Sequence, residues 1–272
     1  MPNELSPEQL EELKSRHIRS FSMRRGHISH AQEKAFEEVF PLYEVPYAEA
    51  PLNFEEVFGR KAPVVFEIGC GMGETTAAIA QAHPEVNFLG CEVFVAGVGA
   101  PSKRIKEMEL KNVQAQPEVN FLGCEVFVAG VGALSKRIKE MELKNVRIIR
   151  HDAVDVIEHM IPPESLDGVH IYFPDPWRKA RHHKRRLVAQ PFIGKLCTRI
   201  RQGGYIHCAT DWQNYAEQML DVLSHEPALQ DWKGEGYCPI QGNPLCERPR
   251  TKFQARGENL GHGIWDLVYI KR

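Results

Sequence analysis

Thirty residues of this chain occur twice. Pro84 to Val113 returns 33 positions later as Pro117 to Val146, and the copies differ only at Pro101 and Leu134. Each copy reads as one strand, Asn-Phe-Leu-Gly-Cys-Glu, followed by one helix. Two copies do not make a solenoid, so this is a duplicated βα unit inside an otherwise complete sheet. A second whole unit in that sheet would move every strand beyond it outward by about 4.8 Å. The expectation is therefore that one copy fills the second-strand position and the other is extruded or loosely packed. The second copy runs directly into Val146–Arg150 and carries leucine where the first has a proline that disturbs a helix unless the helix begins there. This favours Glu125, rather than its twin Glu92, as the acid that ends the second strand.

Around the repeat, continuous apolar segments alternate with helical ones. Strands are predicted at Val64–Ile68, Asn87–Val93, Val146–Arg150, Gly168–Phe173, Gly204–Thr210 and Gly263–Ile270, with helices from Gly73 to about His83 and from Trp212 to about Ser224. The pattern predicts an α/β protein: a mostly parallel, twisted sheet with helices on both faces and an antiparallel closing strand. At 272 residues and 43% hydrophobic content the chain suffices for one such domain, residues 31–272, behind a basic and flexible extension, residues 1–30. From Leu13 to Gln32 that extension has no acid but carries Lys14, Arg16, Arg19, Arg24 and Arg25. No apolar run reaches membrane-spanning length, and the first residues lack the basic start and apolar core of a signal peptide. Seven cysteines form no C-x-x-C pair, which speaks against a zinc site or a disulfide framework. The expectation is a cytoplasmic protein, a monomer or homodimer without metal, whose thiols are reduced and buried.

Positive charge is concentrated. Between Asp175 and Asp211 there is no acid, while Arg178, Lys179, Arg181, Lys184, Arg185, Arg186, Lys195, Arg199 and Arg201 are all present. The whole chain is formally −2, so this segment alone is +9 against −11 elsewhere. Such a stripe suits a polyanion. Most charge runs are merely solvated faces, but this one lies between two apolar strands and so belongs to the fold. Directly before it stands Phe173-Pro-Asp-Pro-Trp177, a carboxylate bracketed by prolines and aromatics.

Glu67-Ile-Gly-Cys-Gly-Met-Gly73 closes the first strand and opens a helix. Gly69, Gly71 and Gly73 allow a tight turn and close approach to a ligand. Alone the motif is weak, since turn glycines serve structure as well. It gains weight from acids ending successive strands: Glu67, Glu92 or Glu125, Asp152 and Asp175. Ligands of doubly wound sheets bind outside those strand ends, where the second acid commonly accepts from a ribose diol. A nicotinamide-dependent oxidoreductase, with NAD as cofactor, is the competing class. The G-x-G-x-G spacing and the lack of a hydride-transfer site disfavour it.

From about Arg19 to the C-terminus the chain resembles the bacterial tRNA (guanine-N7-)-methyltransferase family, Rossmann-like S-adenosylmethionine-dependent enzymes. The motifs that carry this are Glu67-Ile-Gly-x-Gly-x-Gly73, Phe173-Pro-Asp-Pro-Trp177, Lys179-Ala-Arg-His-His-Lys-Arg-Arg186, Ala209-Thr-Asp-Trp212, Arg248-Pro-x-Thr-Lys-Phe253 and Leu260-Gly-His-Gly-Ile-Trp-Asp-Leu267. The resemblance implies that Glu67, Gly69, Gly71, Gly73, Glu92 or Glu125, Asp152 and Asp175 bind S-adenosylmethionine, with Asp175 also catalytic. It implies substrate contacts from Lys179, Asp211, Thr251, Lys252, Phe253 and Gln254, and RNA contacts from Arg181, Lys184, Arg185 and Arg186. The implied substrate is a guanosine in the variable loop of tRNA. Gln254 stands where the family usually has Glu, Arg178 where it usually has His, and the duplication is no family feature. Should the duplication break the cofactor pocket, a tRNA-binding protein without catalysis would remain.

Overall fold

A computed structural model describes residues 29–92, 128–238 and 248–272. In chain order it contains α1 (His30–Glu38), α2 (Phe54–Phe58), β1 (Val64–Ile68), α3 (Glu74–Ala82), β2 (Asn87–Glu92), α4 (Val128–Glu140) and β3 (Val146–Arg150). There follow α5 (Ala153–Asp155), running on as a wider turn to Met160, β4 (Leu166–Tyr172), α6 (Phe192–Cys197), β5 (Ile200–Thr210), α7 (Gln213–Ser224), β6 (Leu229–Asp231), α8 (Lys252–Asn259) and β7 (Trp265–Lys271). The strands form one sheet in the order β3-β2-β1-β4-β5-β7-β6. β1 to β5 are parallel, and β7 runs antiparallel between β5 and β6. The expected antiparallel last strand is present, seated inside the edge rather than at it. Both faces are apolar and covered. One core cluster gathers Phe66, Leu89, Ile149 and Ile171 with Val156, Leu196 and Tyr215, and the other gathers Val65, Phe88 and Ile148 with Phe36, Ala80 and Leu134. Among the described residues no helix is long and apolar enough to cross a membrane. The basic extension through residue 28 lies outside the described residues.

The duplication resolves in a way that the chain's local pattern does not foretell. β2 comes from the first copy and α4 from the second. There is one strand position, as expected, because β2 pairs with β1 on one side and β3 on the other. It is filled by Asn87–Glu92, so Glu92, not the favoured Glu125, ends the strand; Glu125 lies outside the described residues. The two strands are identical in sequence, so side-chain packing cannot choose between them. The connection can: Val86 N donates to His83 O at the end of α3, and Asn145 Nδ2 donates to Ala80 O, His83 O and Val86 O at 2.9–3.1 Å. These bonds tie the first copy's entry to the end of α3. The helix is chosen by its one differing residue. Leu134 is fully buried, packed so closely beneath Gly73 that a Cβ there would lie 2.4 Å from Leu134 Cδ1. Proline at that interior position would remove a backbone hydrogen bond and clash with the preceding turn, costing about 3 kcal/mol.

A deletion tests the single strand position. Removing Pro84–Gln116 or removing Val93–Glu125 gives the same shortened sequence. It keeps every residue type of β2 and α4, and the connection between them falls from 35 residues to two. Loop-closure entropy alone then favours the folded state by about 2 kcal/mol. The shortened protein is expected to be soluble, with equal or higher Tm and unchanged S-adenosylmethionine affinity by calorimetry. A product that cannot fold would mean that both strand copies belong to the structure.

Candidate active site

The glycine loop turns at three left-handed residues, Gly69 (φ 79°), Gly71 (φ 53°) and Gly73 (φ 70°). That backbone region is costly for residues with a Cβ. Gly69 N donates to Cys91 O at 2.8 Å, which fastens the loop to β2, and Gly71 N donates to a carboxylate oxygen of Glu92 at 2.5 Å. Glu92 therefore adjoins the loop. Beneath it, Glu67 is 3% exposed and its Oε2 has no hydrogen-bond partner among the described residues. Burial raises its pKa to about 7, with the nearby Thr76 hydroxyl opposing and the Glu92 charge adding to the rise. A buried carboxylate with an unsatisfied oxygen is a receptor for a cation. This suits the ammonium of an S-adenosylmethionine, whose binding would favour the ionised form. Because the free carboxyl titrates near 7, cofactor binding at pH 6 is expected to release a proton and to tighten as pH rises from about 5 to 7. Calorimetry in buffers of different ionisation enthalpy measures this directly, and Glu67→Gln is expected to remove the linkage.

Parallel pairing places the other acids along the same edge. From β3 toward β4 the strand ends carry Asp152, Glu92, Glu67 and then Asp175. Asp152 caps α5 by accepting from Val154 N at 2.9 Å, so one of its oxygens has the ordinary structural duty of a strand-end acid. Asp175 follows β4 in an unusual backbone. Phe173 (φ 50°) and Trp177 (φ 44°) are both left-handed, bracketing Pro174-Asp175-Pro176. Each such residue costs on the order of 1–2 kcal/mol. Surrounding contacts hold the conformation. Phe173 N donates to Ala209 O at 2.7 Å, the Phe173 ring stacks on Phe253 at 6.1 Å, and the Arg248 and Arg185 guanidinium groups lie over Phe173 and Trp177 at 5.1 and 4.9 Å.

The Phe173–Phe253 stack brings α8, and with it Thr251 to Gln254, against the Asp175 loop. Thr251 caps α8 by accepting from Gln254 N, and Lys252 Nζ reaches Glu74 Oε1 at 2.6 Å at the start of α3. Arg137 of α4 bonds the same Glu74 oxygen at 2.8 Å. Lys252 thus spans from α8 to the glycine-loop helix. Asp211, after β5, faces α8: a Cβ on Gly257 would lie 2.8 Å from Asp211 Cβ, and His262 Nδ1 is 3.4 Å from Asp211 Oδ2. Gln254 is oriented from both sides, its Oε1 accepting from Arg248 Nη1 and its Nε2 donating to Glu258, each at 2.8–2.9 Å.

Behind α8 lies a polar network that no local sequence pattern announces. Arg248 and Asp266 form a buried two-point ion pair, Nε to Oδ1 at 2.8 Å and Nη2 to Oδ2 at 2.9 Å. His207 Nε2 donates to the same Oδ1 at 2.7 Å, and its Nδ1 accepts from Tyr172 OH at 3.0 Å. Burial lowers the His207 pKa despite Asp266, so the ring is neutral with its proton on Nε2. Arg248 and Asp266 sit in two of the motifs noted above. Nothing in their spacing shows that they meet.

The basic stripe divides. Arg178, Lys179, Arg181 and Lys184 are exposed or half-buried and Arg185 half-buried, most of them on a short 3-10 turn, Ala180–Arg185. Arg186 does not belong with them. It is 3% exposed and its guanidinium donates to Pro176 O, Asn214 O, Asn214 Oδ1 and Gln218 Oε1, so its donors are directed into the fold rather than outward where an RNA contact was expected. Lys195 pairs with Glu158, Arg199 donates to the carbonyls of Ile157 and Glu158, and Arg201 pairs with Asp167. Four of the nine charges therefore brace the fold.

A mostly parallel sheet with an antiparallel β7 inserted between β5 and β6, a glycine loop after β1 and acids at four successive strand ends define an S-adenosylmethionine-dependent methyltransferase. A family model described as a putative methyltransferase matches residues 61–116 and 113–267, each segment containing one copy of the repeat's strand. The chain is 49% identical over 261 residues to a tRNA (guanine-N(7)-)-methyltransferase of Cupriavidus pinatubonensis, covering 94% of this chain and 87% of that one. It is 46% identical over 257 residues to the enzyme of that name from Nitrosospira multiformis, covering 94% and 96%. Among solved structures, a 16S rRNA methyltransferase, KamB, aligns at 14% identity and a TM-score of 0.42, over 93% of this chain and 99% of that one. The chain belongs to the tRNA (guanine-N(7)-)-methyltransferase family.

Proposed function

We propose that this chain methylates N7 of a variable-loop guanosine in tRNA, in the cytoplasm, with S-adenosylmethionine as donor. Methylation of tRNA guanine N7 follows from the family; the loop and the residue roles are our reading. The cofactor supplies a methyl group on a sulfonium. Guanine N7 has an in-plane lone pair and no proton, so no general base is needed and the protein's task is alignment. Positive charge develops on the purine as the bond forms. A carboxylate already fixed at that place stabilises it without reorganising. Asp175 has this role, and the observation that supports it is the left-handed bracket around it, whose Phe173 ring stacks on Phe253 of α8. Asp211, Thr251, Lys252 and Gln254 bind the other edges of the base. Phe253, 41% exposed, offers a face for stacking an unstacked base, the form in which RNA bases are read. Glu67, the glycine loop, Glu92 and Asp152 hold the cofactor.

The deciding experiment incubates purified protein with S-adenosylmethionine and unmodified tRNA and maps the product. N7-methylguanosine in the variable loop is expected. Methyl at another atom, or on protein, would refute the reading. The exposed part of the stripe binds phosphate, so the double variant Arg181→Ala, Lys184→Ala is expected to weaken tRNA binding. It should also flatten the log–log salt dependence by at most about 0.7–0.9 for each phosphate no longer neutralised. An unchanged slope would make these residues mere solubilising charge.

A further inference from the structure

Arg186 closes a basic run yet makes none of its bonds outward. Its Nε donates to Pro176 O at 2.9 Å, the carbonyl directly after Asp175. Its Nη1 donates to Gln218 Oε1 at 2.7 Å and to Asn214 O at 3.3 Å, and Nη2 donates to Asn214 Oδ1 at 2.8 Å. The guanidinium lies 4.7 Å over the Tyr215 ring. Asn214 and Gln218 are one turn apart on α7 and so share a face. The helix is fixed in turn: Tyr215 OH accepts from Val188 N at 3.0 Å and Gln218 Nε2 donates to Val188 O at 3.1 Å. Arg186 is thus held on three sides by a rigid helix and touches the Asp175 loop on the fourth.

We infer that Arg186 is a positioning residue: it fastens the Pro174–Pro176 segment to α7 and so sets where the Asp175 carboxylate stands. The loop needs such a fastening. Prolines at 174 and 176 contribute no backbone N–H, and Trp177 is held in a left-handed conformation that relaxes unless its surroundings prevent it. Arg186 supplies a charge-assisted bond to the one carbonyl between Asp175 and Trp177. It also splits the run into two duties, with Arg181 and Lys184 exposed and Arg186 facing inward. The inference rests on Asp175 being the catalytic carboxylate.

The test removes the two side-chain acceptors that α7 offers Arg186, Asn214 Oδ1 and Gln218 Oε1, without touching the basic run. Asn214 is exposed and Gln218 partly so, so the double variant Asn214→Ala, Gln218→Ala is expected to fold. Its kcat should fall about ten- to a hundredfold, the loss typical of a reacting group misplaced by about 1 Å. KM for tRNA, S-adenosylmethionine affinity and the salt slope of tRNA binding should stay at wild-type values. Arg186→Gln, where it folds, should lower kcat in the same way with an unchanged slope. A wild-type kcat in the folded double variant, or a flattened slope in Arg186→Gln, overturns the inference. Asp175→Ala is run in parallel. If it keeps turnover, the reading of Asp175 has failed; if it is inactive while the double variant is normal, only the role of Arg186 has failed.

Discussion

Asp175→Ala is expected to reduce turnover by about 10³-fold, the upper range for removing one preorganised electrostatic group, and to leave tRNA affinity nearly intact. The two effects separate because they depend on different parts of the surface. On the proposed reading the exposed basic residues carry phosphate binding, to which one half-buried carboxylate contributes little. The transition state is where positive charge appears on the purine, and there the carboxylate matters most. Asp175→Asn sharpens the result, because it keeps shape and most hydrogen bonding while removing the charge. A comparable loss would assign the effect to charge. Single-turnover rates with saturating tRNA, beside equilibrium binding, are the required measurements. Equal loss of rate and affinity in Asp175→Ala would contradict the role.

The second large effect is on stability. Asp266→Ala leaves the Arg248 guanidinium, whose side chain is fully buried, without its counter-charge, and takes away the acceptor of His207. Breaking a buried pair from one side typically costs about 3–5 kcal/mol. A denaturant midpoint shift of that size is expected. The pH dependence has a definite sign. Burial alone would raise the Asp266 pKa, but the bonds from His207 and Arg248 outweigh it and the net shift is downward. A carboxyl lowered on folding contributes stability above its unfolded value, 3.8, and loses it as pH falls through the folded value. The gap between wild type and Asp266→Ala should therefore persist through mildly acid pH and narrow only below about 3.8. Because Arg248 also orients Gln254, the variant should lose methylation beyond what unfolding explains.

Much of the sheet was legible along the chain. The predicted Val64–Ile68 and Val146–Arg150 are β1 and β3 residue for residue, and the other predicted strands and helices that fall on described residues agree with the structure to within a few residues; the first copy's helix and the second copy's strand lie outside them. Continuous apolar runs bounded by polar turns report a strand buried on both faces whatever its partners are. The glycine loop and the order of the strand-end acids were legible for the same reason: both follow from local sequence and the rule that parallel strands present their ends at one edge. β6 and α8 were not anticipated, nor were α1, α2, α5 and α6. β6 is three residues long, and α8 is short and polar apart from Phe253, so neither carries a hydrophobic period.

Three matters were decided only in three dimensions. The two copies of Asn-Phe-Leu-Gly-Cys-Glu are the same string, so no local rule could rank them; the entry from α3 did, while the fit of Leu134 under Gly73 selected the helix. Arg186 has the same side chain as Arg181 and Arg185, and a run of charge says nothing about which member turns inward. Asn214 and Gln218, some thirty residues away, settle that. Arg248 and Asp266 are 18 positions apart and meet because β7 pairs antiparallel with β5 and brings Asp266 beside His207. The sequence by itself determined the sheet, its ligand edge and the acids along it, because hydrophobic period and turn chemistry are properties of neighbours in the chain. Only the tertiary structure decided which strand copy is used and which charges are inward, because burial and pairing depend on residues that are distant in the chain and adjacent in space.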